Sequence, residues 1–129
     1  MPTASTDIFR TVPKNDYLSL FHNNQPLYQT VTEFLKFKKE DVSKASSIPL
    51  ASIRYDDKMP HELQARITEW ATLLNHVAEY FQGDESKTAL WFTIPNPMLG
   101  NITPRDMLRF GRYKKLLNFV MNALSENKT

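Results

Sequence analysis

PHELQARITEWATLLNHVAEYFQG, residues 60–83, carries Leu63, Ile67, Trp70, Leu74, Val77, Ala78 and Phe81 on one stripe, with Glu62, Arg66, Glu69 and Glu79 mostly away from it. Apolar side chains that return every three or four residues line one face of an α-helix. Pro60 suits a helix start, and Gly83 is read as the left-handed residue that closes the end. This is the longest helix in the chain and predicts the central element of an all-α fold of six or seven helices. No run alternates at period two over a useful length, so no sheet is expected.

Upstream, Leu27, Val31, Phe34 and Leu35 predict a helix over about 26–36, with Pro26 in its first turn. In FKKEDVSKASSIPLASIRYDD, Val42 and Ala45 are three apart, and so are Leu50 and Ile53. Pro49 fits a helix start but not a helix interior, so two short helices with a tight turn at Ser46 to Ile48 are expected. That spacing is a helix-turn-helix, here in a degenerate form. Residues 1–25 are rich in Thr, Ser, Asn and Pro without a sustained period, and read as an arm that packing can partly order.

Downstream, Asp84 reads as the N-cap of a short helix carrying Leu90, Trp91 and Phe92, which ends before Ile94-Pro95 because a residue preceding proline is pushed out of the helical region. PNPMLGNITP, with three prolines and a glycine, predicts a rigid irregular loop. Thr103-Pro104-Arg105-Asp106 opens another helix, with Thr103 as N-cap, and a last amphipathic helix carries Tyr113, Leu116, Leu117, Val120, Met121 and Leu124. Three segments follow: an arm over 1–25, a helix-turn-helix-like region with the long helix over 26–83, and a C-terminal domain over 84–129.

A chain of 129 residues holds one compact unit, and 41% hydrophobic with 23% charged residues is ordinary globular composition. Sixteen basic against 14 acidic residues leave a net charge of +2, so any nucleic-acid or membrane attraction must come from local placement. The absence of cysteine excludes disulfides, thiol nucleophiles and thiolate zinc sites. No apolar run is long enough for a membrane span, and the start lacks a leader pattern, so the chain reads as soluble and cytoplasmic. His22, His61 and His76 make no metal-binding pair; no G-x-S-x-G elbow and no glycine-rich phosphate loop occur. The acid pairs Glu40-Asp41 and Asp56-Asp57 read as solvated faces. The expectation is a non-enzyme with no catalytic residue, metal or cofactor.

Two clusters are candidates for binding. If the second helix of the helix-turn-helix entered a DNA groove, Ser52, Arg54 and Tyr55 would face it, although Asp56-Asp57 oppose phosphate. The alternative is a packing unit that no longer binds DNA. Arg105, Arg109, Arg112, Lys114 and Lys115, offset by Asp106, form a denser basic cluster, read either as a solvated face or as a patch for an acidic partner.

WFTIPNPMLGNITPRDMLRF, residues 91–110, resembles the C-terminal domain of the Xre/MbcA/ParS antitoxins, in which a tryptophan precedes a T-PNP-LG-TP-D-L string. The matching positions are Trp91, Thr93, Pro95, Asn96, Pro97, Leu99, Gly100, Thr103, Pro104, Asp106 and Leu108. A weaker likeness extends over about 26–129; Ser47 stands where the turn glycine usually is, and Pro49 is unusual. The resemblance implies a type II antitoxin whose C-terminal domain plugs the cleft of a RES-class, NAD-consuming toxin, with a homodimer and operator DNA as further partners. Trp91, Pro95, Pro97, Thr103 and Pro104 would shape the loop. Asn96, Leu99, Gly100, Arg105, Arg109, Arg112 and Lys115 would meet the toxin. A DNA-binding regulator and an orphan helical adaptor without a toxin are the alternatives.

Overall fold

The computed structural model describes residues 15–127. A hairpin of β1 (Phe21–His22) and β2 (Gln25–Pro26) leads into α1 (Tyr28–Phe34) and α2 (Lys39–Ser46), then α3 (His61–Tyr80), α4 (Glu85–Thr93), α5 (Pro104–Arg109) and α6 (Tyr113–Asn127), with single 3-10 turns at Leu50–Ser52 and Pro97–Leu99. The architecture is the expected helical one. α3 is its axis and packs against α1, α4, α6 and β2, while α2 lies on α5 and α5 touches α4 and α6.

The stripe read from the sequence is the buried one: Leu63, Ile67, Trp70, Leu74 and Val77 are all core residues. Ala71, Leu73, Asn75, His76 and Ala78 are buried as well, because neighbours cover α3 on several sides. Trp70, 1% exposed, meets the Phe37 ring edge-on at 5.6 Å, and the Arg105 guanidinium lies 5.1 Å from the centre of the same ring. The central helix, the segment after α1 and α5 are thus stacked through three side chains.

The end of α3 differs by one residue from the sequence expectation. Gln82 (φ 57°) takes the first left-handed position and donates its N–H to Glu79 O at 3.0 Å, and Gly83 N reaches Ala78 O at 2.7 Å. This is a Schellman closure with the glycine in second place. Gly83 is also left-handed (φ 85°), and a Cβ there would meet Tyr17 Cδ1 at 3.3 Å. The same closure ends α1, with Lys36 (φ 57°) left-handed and Phe37 N bonded to Thr32 O at 2.9 Å.

The first 14 residues of the expected arm lie outside the described residues. From Asp16 onward the segment is tied to the core through Leu18 and Leu20. Buried Asn75 accepts the Leu18 N–H at 3.1 Å and donates to Asp16 Oδ1 at 3.0 Å, and the Asp16 carboxylate accepts Leu20 N at 2.8 Å and Phe21 N at 2.9 Å. Leu18 and Leu20 are held inside as a result. The hairpin, which no alternation signalled, turns at Asn23 and Asn24, both at positive φ, as a tight two-residue turn requires. Pro26 is therefore a strand residue, and Leu27 is the N-cap of α1.

The turn at Ser46 to Ile48 is present. Ser47 is left-handed (φ 61°), the conformation the missing glycine would supply, and the Ser43 hydroxyl bonds Ile48 O at 2.6 Å. The second short helix is not formed: Leu50–Ser52 makes one 3-10 turn, and Ile53 is already extended. Only ten residues separate Pro49 from Pro60. Within them the Asp56 carboxylate accepts Lys58 N at 3.0 Å and starts a turn that competes with helix.

Candidate partner-binding surface

α4 begins on an Asp84 cap (Lys87 N to Oδ1, 2.9 Å) and ends where Ile94 turns extended before Pro95. The loop that follows closes on Asn96. The Asn96 N–H bonds Ile102 O at 3.0 Å, its carbonyl accepts Leu99 N and Asn101 N at 2.9 Å each, and its side chain accepts Met98 N at 2.9 Å. Gly100 and Asn101 are both left-handed (φ 77° and 65°). Nothing lies within 4 Å of a Cβ built on Gly100, so backbone conformation rather than close approach requires the glycine. Pro97 opens the 3-10 turn, and Thr103 Oγ1 accepts Asp106 N at 3.0 Å with buried Pro104 next in line. The loop shape is held by its own residues.

This loop borders two grooves. One, of about 290 Å³, is lined by Val77, Tyr80, Phe81, Trp91, Asn96 and Phe119 among others. Trp91 is half-buried on its wall and meets Phe92 edge-on at 5.1 Å; Phe92 is the core residue of α4. The other groove, of about 380 Å³, brings Leu99, Gly100, Arg112 and Lys115 together with Met98, Ile102 and Met107. Met98 (77% exposed), which lines this second groove, and Leu90 (57%) and Ile94 (47%) at the end of α4 leave large apolar side chains uncovered. The sequence marks Leu90 as part of a short helix and Ile94 as its end but assigns neither, nor Met98, to binding; the one available signal is apolar residues on α4 and in the loop with no periodic partner stripe.

The basic cluster divides. Arg105 donates from Nε to Leu35 O at 2.6 Å and from a terminal nitrogen to Lys36 O at 2.7 Å, capping the end of α1. Arg109 bonds Asp106 Oδ1 at 3.1 Å and lies 4.0 Å from Asp41, which also pairs with Arg105 at 3.7 Å. These two arginines spend their charge inside the molecule. Arg112, Lys114 and Lys115 are exposed around the start of α6. They share a further groove of about 470 Å³ with Ser46, Ser47, Arg66, Glu69, Leu108 and Tyr113. There Arg66 pairs with Glu69 at 3.0 Å. Burial raises the Glu69 carboxyl against the pull of Arg66 and Lys114, and burial, then the Glu69 charge, pushes the Tyr113 phenol up to about 12.

The residues considered for DNA are placed differently from that expectation. Ser52 ends the 3-10 turn, and Arg54 and Tyr55 follow it outside any helix. Arg54 grips Asp56 with two bonds of 2.7 and 2.5 Å, which raise the guanidinium and hold the Asp56 carboxyl below its usual range. Tyr55 is pushed up by burial, opposed by a hydrogen bond with Thr32 of α1. Among the described residues no three His, Asp or Glu side chains gather as metal ligands, and no helix is long and apolar enough to cross a membrane.

No family model matches the sequence, and no curated protein does. Among solved structures, one chain of the crystal structure of the M. tuberculosis MbcT-MbcA toxin-antitoxin complex matches with a TM-score of 0.51 and 21% identity, over 78% of this chain and 91% of that one. The two chains share a fold. That agrees with the resemblance carried by residues 91–108, and at this identity it speaks for architecture alone.

Proposed function

We propose that the chain is a type II antitoxin that binds and neutralises a cognate RES-class, NAD-consuming toxin through residues 84–129, and is not itself a catalyst. The observation that carries this reading is the pre-shaped loop, closed on Asn96 and flanked by uncovered grooves, on a fold shared with a chain of a toxin-antitoxin complex. A loop already rigid loses little entropy when a partner docks. Asn96, Leu99, Gly100, Arg112 and Lys115 are the contact candidates, and Arg105 and Arg109 contribute mainly by holding α5 in place. Uncovered Leu90, Ile94 and Tyr80 support a homodimer. Operator binding for autoregulation would have to recruit Ser52, Arg54 and Tyr55 from outside a helix, with Arg54 neutralised by Asp56, so it draws the least support.

Expression of the adjacent open reading frame should stop growth and deplete cellular NAD, and co-expression of this chain should restore both and yield a complex that co-purifies. A neighbour that leaves NAD untouched, or that this chain neither binds nor silences, would sink the proposal.

A further inference from the structure

Among the described residues, Arg112 and Lys115 make no ion pair of the kind that holds Arg105 and Arg109, while Lys114 acts on Glu69. Arg112 and Lys115 line both the groove toward α2 and the groove under the loop, so they stand where the two meet. On one side the half-buried Tyr113 ring is the apolar surface, among Ser46, Ser47, Arg66 and Glu69; on the other it is exposed Met98 with half-buried Leu99 and Ile102. Lys114 adds to the same field, and Glu69, which lines the groove toward α2 and feels the Lys114 charge, is paired with Arg66 at 3.0 Å.

We propose that this double groove receives an acidic peptide segment of the partner protein, with a carboxylate at Arg112 and Lys115 and an apolar side chain in the groove on either side. This rests on the reading that the chain has a protein partner, and names the chemistry of the segment that partner presents. Guanidinium and ammonium groups at the rim select carboxylate, and the two apolar floors select what flanks it. The grooves are of a size that takes side chains. A nucleic-acid backbone brings charge but no apolar group to fill either floor, so a peptide is the better fit.

The test is titration of the isotope-labelled full chain with an acetylated, amidated Leu-Glu-Glu-Leu peptide, followed by amide NMR shifts. Shifts should cluster at Ser46, Ser47, Gly100 and 111–115. Exchange of both Glu for Gln in the peptide should weaken binding at least fivefold, and exchange of both Leu for Ala should do the same. Arg112→Glu with Lys115→Glu should weaken it at least tenfold with an unchanged circular dichroism spectrum; Arg112→Gln with Lys115→Gln serves if the reversal misfolds. Equal binding of the Gln peptide, shifts elsewhere, or saturation of the same amides by a duplex DNA at lower concentration overturns the proposal. No toxin is present in this titration, so its failure leaves the antitoxin reading standing, and failure of the NAD experiment leaves this one standing.

Discussion

Arg105 shows how a single side chain changes meaning once its partners are known. In sequence it is one cation of five in a basic run; in the fold its guanidinium closes the carbonyl end of α1 and lies over Phe37. Hydrogen bonds from a charged group contribute about 1.5 to 3 kcal/mol, so Arg105→Ala should lower the unfolding free energy by about 2 kcal/mol in urea titration. Arg105→Lys should recover only a fraction, because an ammonium cannot supply the planar fork and the stacking together. An unchanged midpoint for Arg105→Ala would show that the cap is not needed. Tyr113 makes a prediction about pH. Its phenol titrates near 10 in an unfolded chain and at about 12 in the fold, because burial disfavours phenolate and Glu69 repels it. Folding therefore favours the neutral phenol. The contribution is complete below pH of about 10 and is lost as pH climbs to about 12. Tyr113→Phe should flatten the fall in stability over that window, read from thermal midpoints at stepped pH.

At the level of elements, legibility followed periodicity and capping chemistry. α3 was readable because its stripe runs over five turns, and α4 and α5 because Asp84 and Thr103 are strong caps with prolines fixing the neighbouring boundaries. The hairpin was not, since each strand is two residues long and too short to show an alternation. The missing second helix after Pro49 has a different cause. Leu50 and Ile53 do keep a helical spacing, but an Asp56 turn and Pro60 leave room for one 3-10 turn only. Buried Asn75 was invisible for a third reason: a polar residue within an apolar helix announces a partner but not which one. Trp70→Ala, which opens a cavity between α3 and Phe37, should cost about 3 to 5 kcal/mol. Asn75→Ala leaves the Leu18 amide and Asp16 without their partner and should cost about 1 to 3 kcal/mol, with faster hydrogen exchange confined to residues 16–22. Exchange that accelerates across α3 instead would show that Asn75 supports the helix rather than residues 16–22.

Across the whole molecule, the cations that hold the fold and those that stay exposed lie within one short stretch, and their neighbours tell them apart. Arg109 touches Asp106 and lies 4.0 Å from Asp41, whereas Arg112 lies exposed where two grooves meet. Charge reversal should therefore separate two functions that the sequence joined. Arg109→Glu sets a third carboxylate against Asp41 and Asp106 and should cost about 1 to 2 kcal/mol of stability by disrupting the α2–α5 contact, with any loss of neutralisation following from unfolding. Arg112→Glu should change stability by less than about 0.5 kcal/mol, as surface substitutions usually do, yet impair neutralisation of the toxin in cells. Denaturation midpoints for both variants, set beside NAD levels in cells expressing toxin with each variant, decide the matter. Removal of residues from Ser125 onward, a separate variant, asks whether the end of α6 also reaches the toxin: loss of protection with an unchanged midpoint would place it in the interface. If Arg112→Glu protects NAD as fully as the unaltered chain, the contact surface is the apolar groove beside Trp91 and the loop at Asn96, and the exposed cations serve solubility.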